Sequence, residues 1–398
     1  MDTSTDRTSP GIIRDAAERI VSAAFGTVRL DAGAPLDISD SSDRSNLSRF
    51  QVLDGPAGIP ASVVVKQAVA MGDESWDPDR PGGPASRHFS VWASLQFLGE
   101  GVPDRPVAPR LYGGDRDAGI LVMGDRGPMA DGLTEWLLGD DPVAAETDLV
   151  AYAATVGRMH GATAGHIARH DELRGARGHS DAGLDQDWMK PTFHATLDAL
   201  GLTPVPSIDD DLAVIEAAIG SPGDFAALIH SDPCPGNWLR TGNTDRLLDF
   251  EFAGVGHALL DGVYGHVPFP TCWCIGRLPE HVTQTMERAY RVEFARGCPA
   301  ARNDARYAQA VANACAYWLV DLCLRSPMPM LLEDDFEWGT ATIRQRLLVR
   351  FDVVIQVTRE SGHLEALGDQ AEAMARTLHD RWDPIVAPLP LYPAFQPA

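Results

Sequence analysis

The stretch Ala226-Ala227-Leu228-Ile229-His230-Ser231-Asp232-Pro233-Cys234-Pro235-Gly236-Asn237-Trp238-Leu239 decides how this chain is read. An apolar run enters a polar turn that carries a histidine, a carboxylate and then an asparagine amide, in the pattern H-x-D-x-x-x-x-N. Downstream, Arg246-Leu247-Leu248-Asp249-Phe250-Glu251 reads as a short apolar strand ending in a second carboxylate. The Pro- and Gly-rich loop between Asp232 and Asn237 can turn both side chains into one cleft, and the strand can deliver Asp249 beside them. Asp, Pro, Gly and Asn also favour plain turns, so a purely structural loop stays open at this point.

Phosphoryl transfer needs this set of groups. A carboxylate orients the acceptor hydroxyl and takes its proton, and an amide oxygen with a second carboxylate holds Mg²⁺ against the phosphates.

Outward from this centre, two textures divide the chain. Before residue 125 the segments are short and partly β-like: Arg49–Leu53 closed by Asp54-Gly55-Pro56, Ala61–Gln67 around Val63-Val64-Val65, and Gly119–Met123. Helical spacing marks Ile12–Phe25 and Arg87–Leu98. A Gly- and Pro-rich insert, Gly72–Pro84, reads as an exposed loop. Beyond 125 the pattern turns helical, with amphipathic Asp148–Ala164 and Asp209–Ile219, a polar loop over His166–Asp187, and helix again from Pro279. The expected organisation is a flexible N-terminus over 1–10, a β-rich part over 11–125 and a larger helical part over 126–398.

Of 398 residues, 44% are hydrophobic and 22% charged, an ordinary globular balance. Fifty-six acidic against 33 basic residues give a formal charge of −23, which argues against nucleic-acid and anionic-membrane partners and favours a cationic one. No apolar run is long enough to span a bilayer, and Met1–Pro10 does not read as a secretory signal. The six cysteines show no dense disulfide framework, so a cytoplasmic setting is expected, and Cys272-Trp273-Cys274 lacks the spacing of a zinc knuckle.

These motifs resemble the aminoglycoside phosphotransferase and choline kinase superfamily. His230–Asn237 with Leu248-Asp249-Phe250-Glu251 is similar to its catalytic and metal segments, and Val156-Gly157-Arg158-Met159-His160 to one of its helices. Ala108–Asp115 with Gly119–Met123 is similar to its strand pair before the hinge, and Phe252–Asp261 to the segment after the metal carboxylate. The resemblance spans about residues 40–265. It implies an α+β, bilobal, protein-kinase-like fold and an ATP- or GTP-dependent enzyme using Mg²⁺ to phosphorylate a small-molecule hydroxyl, on an antibiotic or a related metabolite.

By the same resemblance Asp232 is the catalytic base, and His230 orients the loop. Asn237 and Asp249 are the Mg²⁺ ligands, and Lys66 steadies the nucleotide phosphates. Ser45 and Asn46 form the turn over those phosphates, Met123 to Asp125 the hinge at the nucleobase, and Asp261 ties down the loop. Glu251 meets substrate or stays solvated. One departure stands out: Val91 occupies the helix position where the family carries a Glu paired to the lysine, with Glu74 or Glu100 as substitutes. That loss keeps a non-catalytic nucleotide-binding protein as the alternative.

Overall fold

The computed structural model describes residues 9–36, 45–69, 76–80, 84–102, 105–125, 127, 132–176, 187–242, 244–383 and 385–397. The chain forms two compact units. The first takes the chain up to Ala130 together with Ala168–Asp181 and Thr241–Ala253; the second takes the remainder.

The first unit opens with helix α1 (Pro10–Phe25), started by a proline in its first turn, where no N–H partner is lost. Strands β1 (Arg29–Leu30), β2 (Ala34–Pro35), β3 (Ser45–Asp54) and β4 (Ser62–Ala68) follow. Helix α2 (Pro84–Gly101), β5 (Leu111–Asp115) and β6 (Ile120–Gly124) come next. One antiparallel sheet runs in the order β1-β3-β4-β6-β5, with β2 also on β3.

Strand β4 lies inside this sheet, and its side chains alternate faces. Val63 and Val65 join Ala16, Ala17, Val21, Phe50, Ile120 and Val122 in a buried cluster under α1, which sends Lys66 to the opposite face. Helix α2 is apolar or small on most of its circumference, and Phe89, Val91, Leu95 and Leu98 are buried. Its Ser90 hydroxyl donates to the Ala253 carbonyl at 2.5 Å, tying the helix to the segment that carries Asp249 and Glu251.

The stretch expected as a polar loop after His166 contains a helix, Ile167–Gly175. Its buried face is His170, Leu173 and Arg174, so it has almost no apolar periodicity to read. Most of Gly72–Pro84 lies outside the described residues, and Trp76–Arg80 forms neither helix nor strand.

The second unit is mainly helical. It begins with α3 (Leu133–Leu138) and α4 (Pro142–Thr163), the latter capped by Asp141, whose side chain accepts from the N–H groups of Val143 and Ala144. Helix α4 packs on the helix Glu280–Phe294 through glycines. A Cβ at Gly157 would lie 2.3 Å from the Tyr290 carbonyl oxygen, and one at Gly161 2.6 Å from that of Glu293. Backbones approach this closely only without side chains between them. Helices Asp304–Arg325, Ile343–Ser361 and Glu365–Trp382 complete the bundle. Strand Ala226–Ile229, fully buried, pairs antiparallel with Gly254–His257 and leads directly to His230. The expected α+β composition, a small sheet-bearing unit and a larger helical one, is found. Among the described residues no helix is long and apolar enough to cross a membrane.

Candidate active site

In the helical unit, strand Ala226–Ile229 ends at His230, whose side chain is fully buried. Ser231 takes a left-handed φ of 67°, which turns the chain sharply outward. Asp261 pins that turn: its Oδ2 accepts from the His230 N–H at 2.6 Å and its Oδ1 from the Ser231 N–H at 3.1 Å. The same Oδ2 lies 3.3 Å from His160 Nε2, and His160 Nδ1 lies 2.9 Å from the Tyr290 hydroxyl. The close α4 packing at Gly157 and Gly161 thus delivers a histidine to the carboxylate that fixes the loop. Tyr152 adds a hydrogen bond to the Pro233 carbonyl at 2.7 Å. Burial, helped by the nearby Asp261 and Asp232 charges, pushes the Tyr152 hydroxyl well above its ordinary pKa, so it stays a donor.

Asp232 follows, half-buried. Asn237 Nδ2 donates to the Asp232 carbonyl at 2.9 Å and to Oδ2 at 3.3 Å, so the two predicted residues do meet. Two partners were not anticipated. The Thr271 hydroxyl donates to Asp232 Oδ1 at 2.5 Å, and Cys234 forms a disulfide with Cys272. The remaining cysteines, 274, 298, 315 and 323, are free and buried. Their spacing in sequence gave no sign of the 234–272 pair, because its second member comes from a distant loop.

In the sheet unit, Leu247 N–H donates to the Val107 carbonyl at 2.7 Å, and Arg246 reaches the Pro106 carbonyl at 2.6 Å. These bonds anchor the short strand before Asp249. Asp249 has a left-handed φ of 58°, and its Oδ1 lies 2.5 Å from Lys66 Nζ. Lys66, Ser45, Arg87, His88, Val91 and Glu251 line one pocket.

Other expected residues sit differently. Ser45 and Asn46 do not form a turn: they open β3, paired with Ala68 and Gln67 of β4. Met123 is a strand residue opposite Val64. Asp125 is held by Arg49 at 2.6 Å and by the Ser62 hydroxyl at 2.5 Å. Burial alone would raise its carboxyl, but those bonds and the Gly127 N–H outweigh it and hold the pKa below the usual range. Glu100 is bound to Arg169 at 2.9 Å and is not the partner of Lys66; Glu74 lies outside the described residues. Glu251 is 8% exposed and lines the Lys66 pocket, and Trp273 is exposed.

Comparison with solved structures finds distant likenesses. The choline/ethanolamine kinase family protein from Mesorhizobium loti is 15% identical with a TM-score of 0.44, over 85% of this chain and 93% of that one. Choline kinase from Cryptosporidium parvum is 11% identical with a TM-score of 0.45, over 91% and 98%. Macrolide 2′-phosphotransferase from Brachybacterium faecium is 16% identical with a TM-score of 0.38, over 77% and 93%. No curated protein matches the chain. The model of the phosphotransferase enzyme family matches residues 40–302, well over half of the sequence, and includes every residue of both clusters described above. The chain therefore belongs to the phosphotransferase enzyme family.

Proposed function

We propose that this enzyme transfers the γ-phosphoryl group of ATP or GTP to a hydroxyl of a small molecule, an aminoglycoside-like antibiotic or a related metabolite. The observation that carries the reading is the Asp232 carboxylate, half-buried at the end of a clamped loop with Thr271 and Asn237 on its two oxygens. Asp232 orients the acceptor hydroxyl and takes its proton as the bond to phosphorus forms. Lys66 steadies the α- and β-phosphates. Ser45, on the neighbouring strand, lines the same pocket, which supports a place beside the phosphates. Glu251 lines it too, which supports a role near the nucleotide more than at the acceptor.

The donor set fits a hard divalent cation. Asn237 has its Nδ2 committed to Asp232, leaving its amide oxygen for a metal, and the Asp249 carboxylate is about two-fifths exposed. Asn237 and Asp249 would hold Mg²⁺, which when bound neutralises charge on the phosphate oxygens. The strongly acidic composition supports an amine-bearing acceptor.

A coupled ADP-release screen over amino-sugars, nucleoside antibiotics and amino alcohols identifies the acceptor. Asp232→Asn should then lower turnover by roughly 10²–10⁴ with nucleotide binding intact, the usual worth of a positioned base. Full turnover in that variant removes the assignment. The second reading, a non-catalytic nucleotide binder, is supported by buried Val91 in place of an acid; it predicts Mg-nucleotide stabilisation without ADP release on any acceptor.

A further inference from the structure

The segment Phe269–Cys274 reaches Asp232 from a distant part of the sequence, and the helical unit holds it from both sides. On one side stand two buried arginines one turn apart on the helix Ile343–Ser361. Arg350 donates to the Pro270 carbonyl at 2.9 Å and to the Trp318 carbonyl at 2.5 Å. Arg346 donates to the carbonyls of Cys272 at 2.8 Å, Trp273 at 3.1 Å and Trp338 at 2.8 Å. Arginine forks suit this task, since each one satisfies several carbonyls at fixed angles. Phe269, fully buried with a φ of 35°, holds a backbone conformation that such surroundings must enforce.

On the other side the segment meets the predicted base. The Thr271 hydroxyl donates to Asp232 Oδ1, and the Tyr264 hydroxyl sits 3.0 Å from Thr271 Oγ1, within reach to donate in turn. Burial, with the Asp261 and Asp232 charges adding to it, raises the Tyr264 hydroxyl well above its ordinary pKa, so it keeps its proton. The disulfide from Cys272 to Cys234 makes the same junction covalent, and Cys234 Sγ lies 3.1 Å from Asp232 Oδ1.

We infer that this segment is a strap that sets the angle of the Asp232 carboxylate, with Thr271 as the positioning residue and the Cys234–Cys272 disulfide as its lock. The inference rests on Asp232 acting as the base. Opening the lock takes an external dithiol. Its two thiols give two electrons and two protons to the S–S bond, leaving two cysteine thiols in the protein and a disulfide in the reductant. The freed loop keeps the Asp261 clamp but loses the tie that fixes the carboxylate against rotation, and a small misplacement of a catalytic group lowers turnover steeply.

The test compares Thr271→Val, Thr271→Ser and Cys272→Ser in steady-state assays, with Asp232→Asn as control. Thr271→Val should lower kcat about tenfold or more, with the KM for nucleotide and the melting temperature little changed. Thr271→Ser, which keeps the donor, should restore most of kcat. Dithiothreitol should lower kcat of the unsubstituted enzyme. After its removal, reoxidation with glutathione disulfide should restore kcat, as the two cysteine thiols give their electrons and protons to that disulfide. Cys272→Ser, already slow, should be unaffected by either. Unchanged kcat in folded Thr271→Val, or equal turnover of the reduced and oxidised enzyme, overturns the strap. Should Asp232→Asn itself retain turnover, the assignment of the base fails first and the strap fails with it.

Discussion

Lys66 Nζ and Asp249 Oδ1 stand 2.5 Å apart, joining the middle of the sheet to the end of a short strand 183 positions later in sequence. The pair gives the lysine a carboxylate partner although α2 offers Val91. Lys66→Met should weaken Mg-nucleotide binding about tenfold, roughly 1.4 kcal/mol, a modest figure for a charge-assisted contact to phosphate. Asp249→Asn should weaken nucleotide binding in the presence of Mg²⁺ more than in its absence. Isothermal titration with and without the metal reads both.

Arg87, on the first turn of α2, is half-buried in the same pocket and has no hydrogen bond or ion pair among the described residues. Arg87 and Lys66 bring two cationic side chains to one pocket, and a guanidinium fork suits an incoming polyphosphate. Arg87→Ala should therefore raise the dissociation constant for nucleoside triphosphate more than for nucleoside, by about tenfold, with Arg87→Lys intermediate. Equal losses for both ligands would show that Arg87 serves packing alone.

Gly157→Ala sets two effects against each other. The substitution gains about 1 kcal/mol of helix propensity. Its Cβ, however, would sit 2.3 Å from the Tyr290 carbonyl oxygen, a main-chain atom that cannot rotate away. Overpacking of this kind costs about 3 kcal/mol, so a net loss of about 2 kcal/mol is expected in urea unfolding.

His257 gives the fold a defined acid sensitivity. Burial, with His160 nearby, lowers its pKa from 6.5 to about 4, while its Nδ1 accepts from the Leu259 N–H at 3.3 Å. The folded protein keeps this imidazole neutral; the unfolded chain protonates it near pH 6.5. Its stabilising contribution is complete above that pH and is lost as pH falls toward about 4, by up to about 3 kcal/mol. Denaturation midpoints across that window should fall, and His257→Asn, which keeps an acceptor for Leu259, should flatten the decline.

Much of this architecture was legible because it rests on local pattern. The β-branched run at Val63–Val65, the 3.6-residue spacing of α1 and α4, and the H-x-D-x-x-x-x-N turn each carry their own signal. Asp261 as the tie for the loop was readable from the same motif family. The helix Ile167–Gly175 was not, since two of its three buried residues are a histidine and an arginine, beside the single apolar Leu173. The family resemblance implied a turn at Ser45 and Asn46, yet β4 takes them as strand partners, a pairing set by tertiary contacts. Thr271, Cys272, Arg346 and Arg350 were invisible for a plainer reason: a threonine touching an aspartate thirty-nine positions away leaves no periodicity at all.

The Asp261 clamp bears on how freely this loop can drift in evolution. It grips main-chain N–H groups, and every amino acid except proline supplies one. The bond therefore asks nothing of the side chains at 230 and 231. What constrains those positions is separate: full enclosure of one, and the left-handed backbone of the other, where glycine or asparagine would sit more comfortably than serine. A Ser231→Gly descendant would inherit the clamp unaltered, whereas losing Asp261 would remove both of its bonds at once.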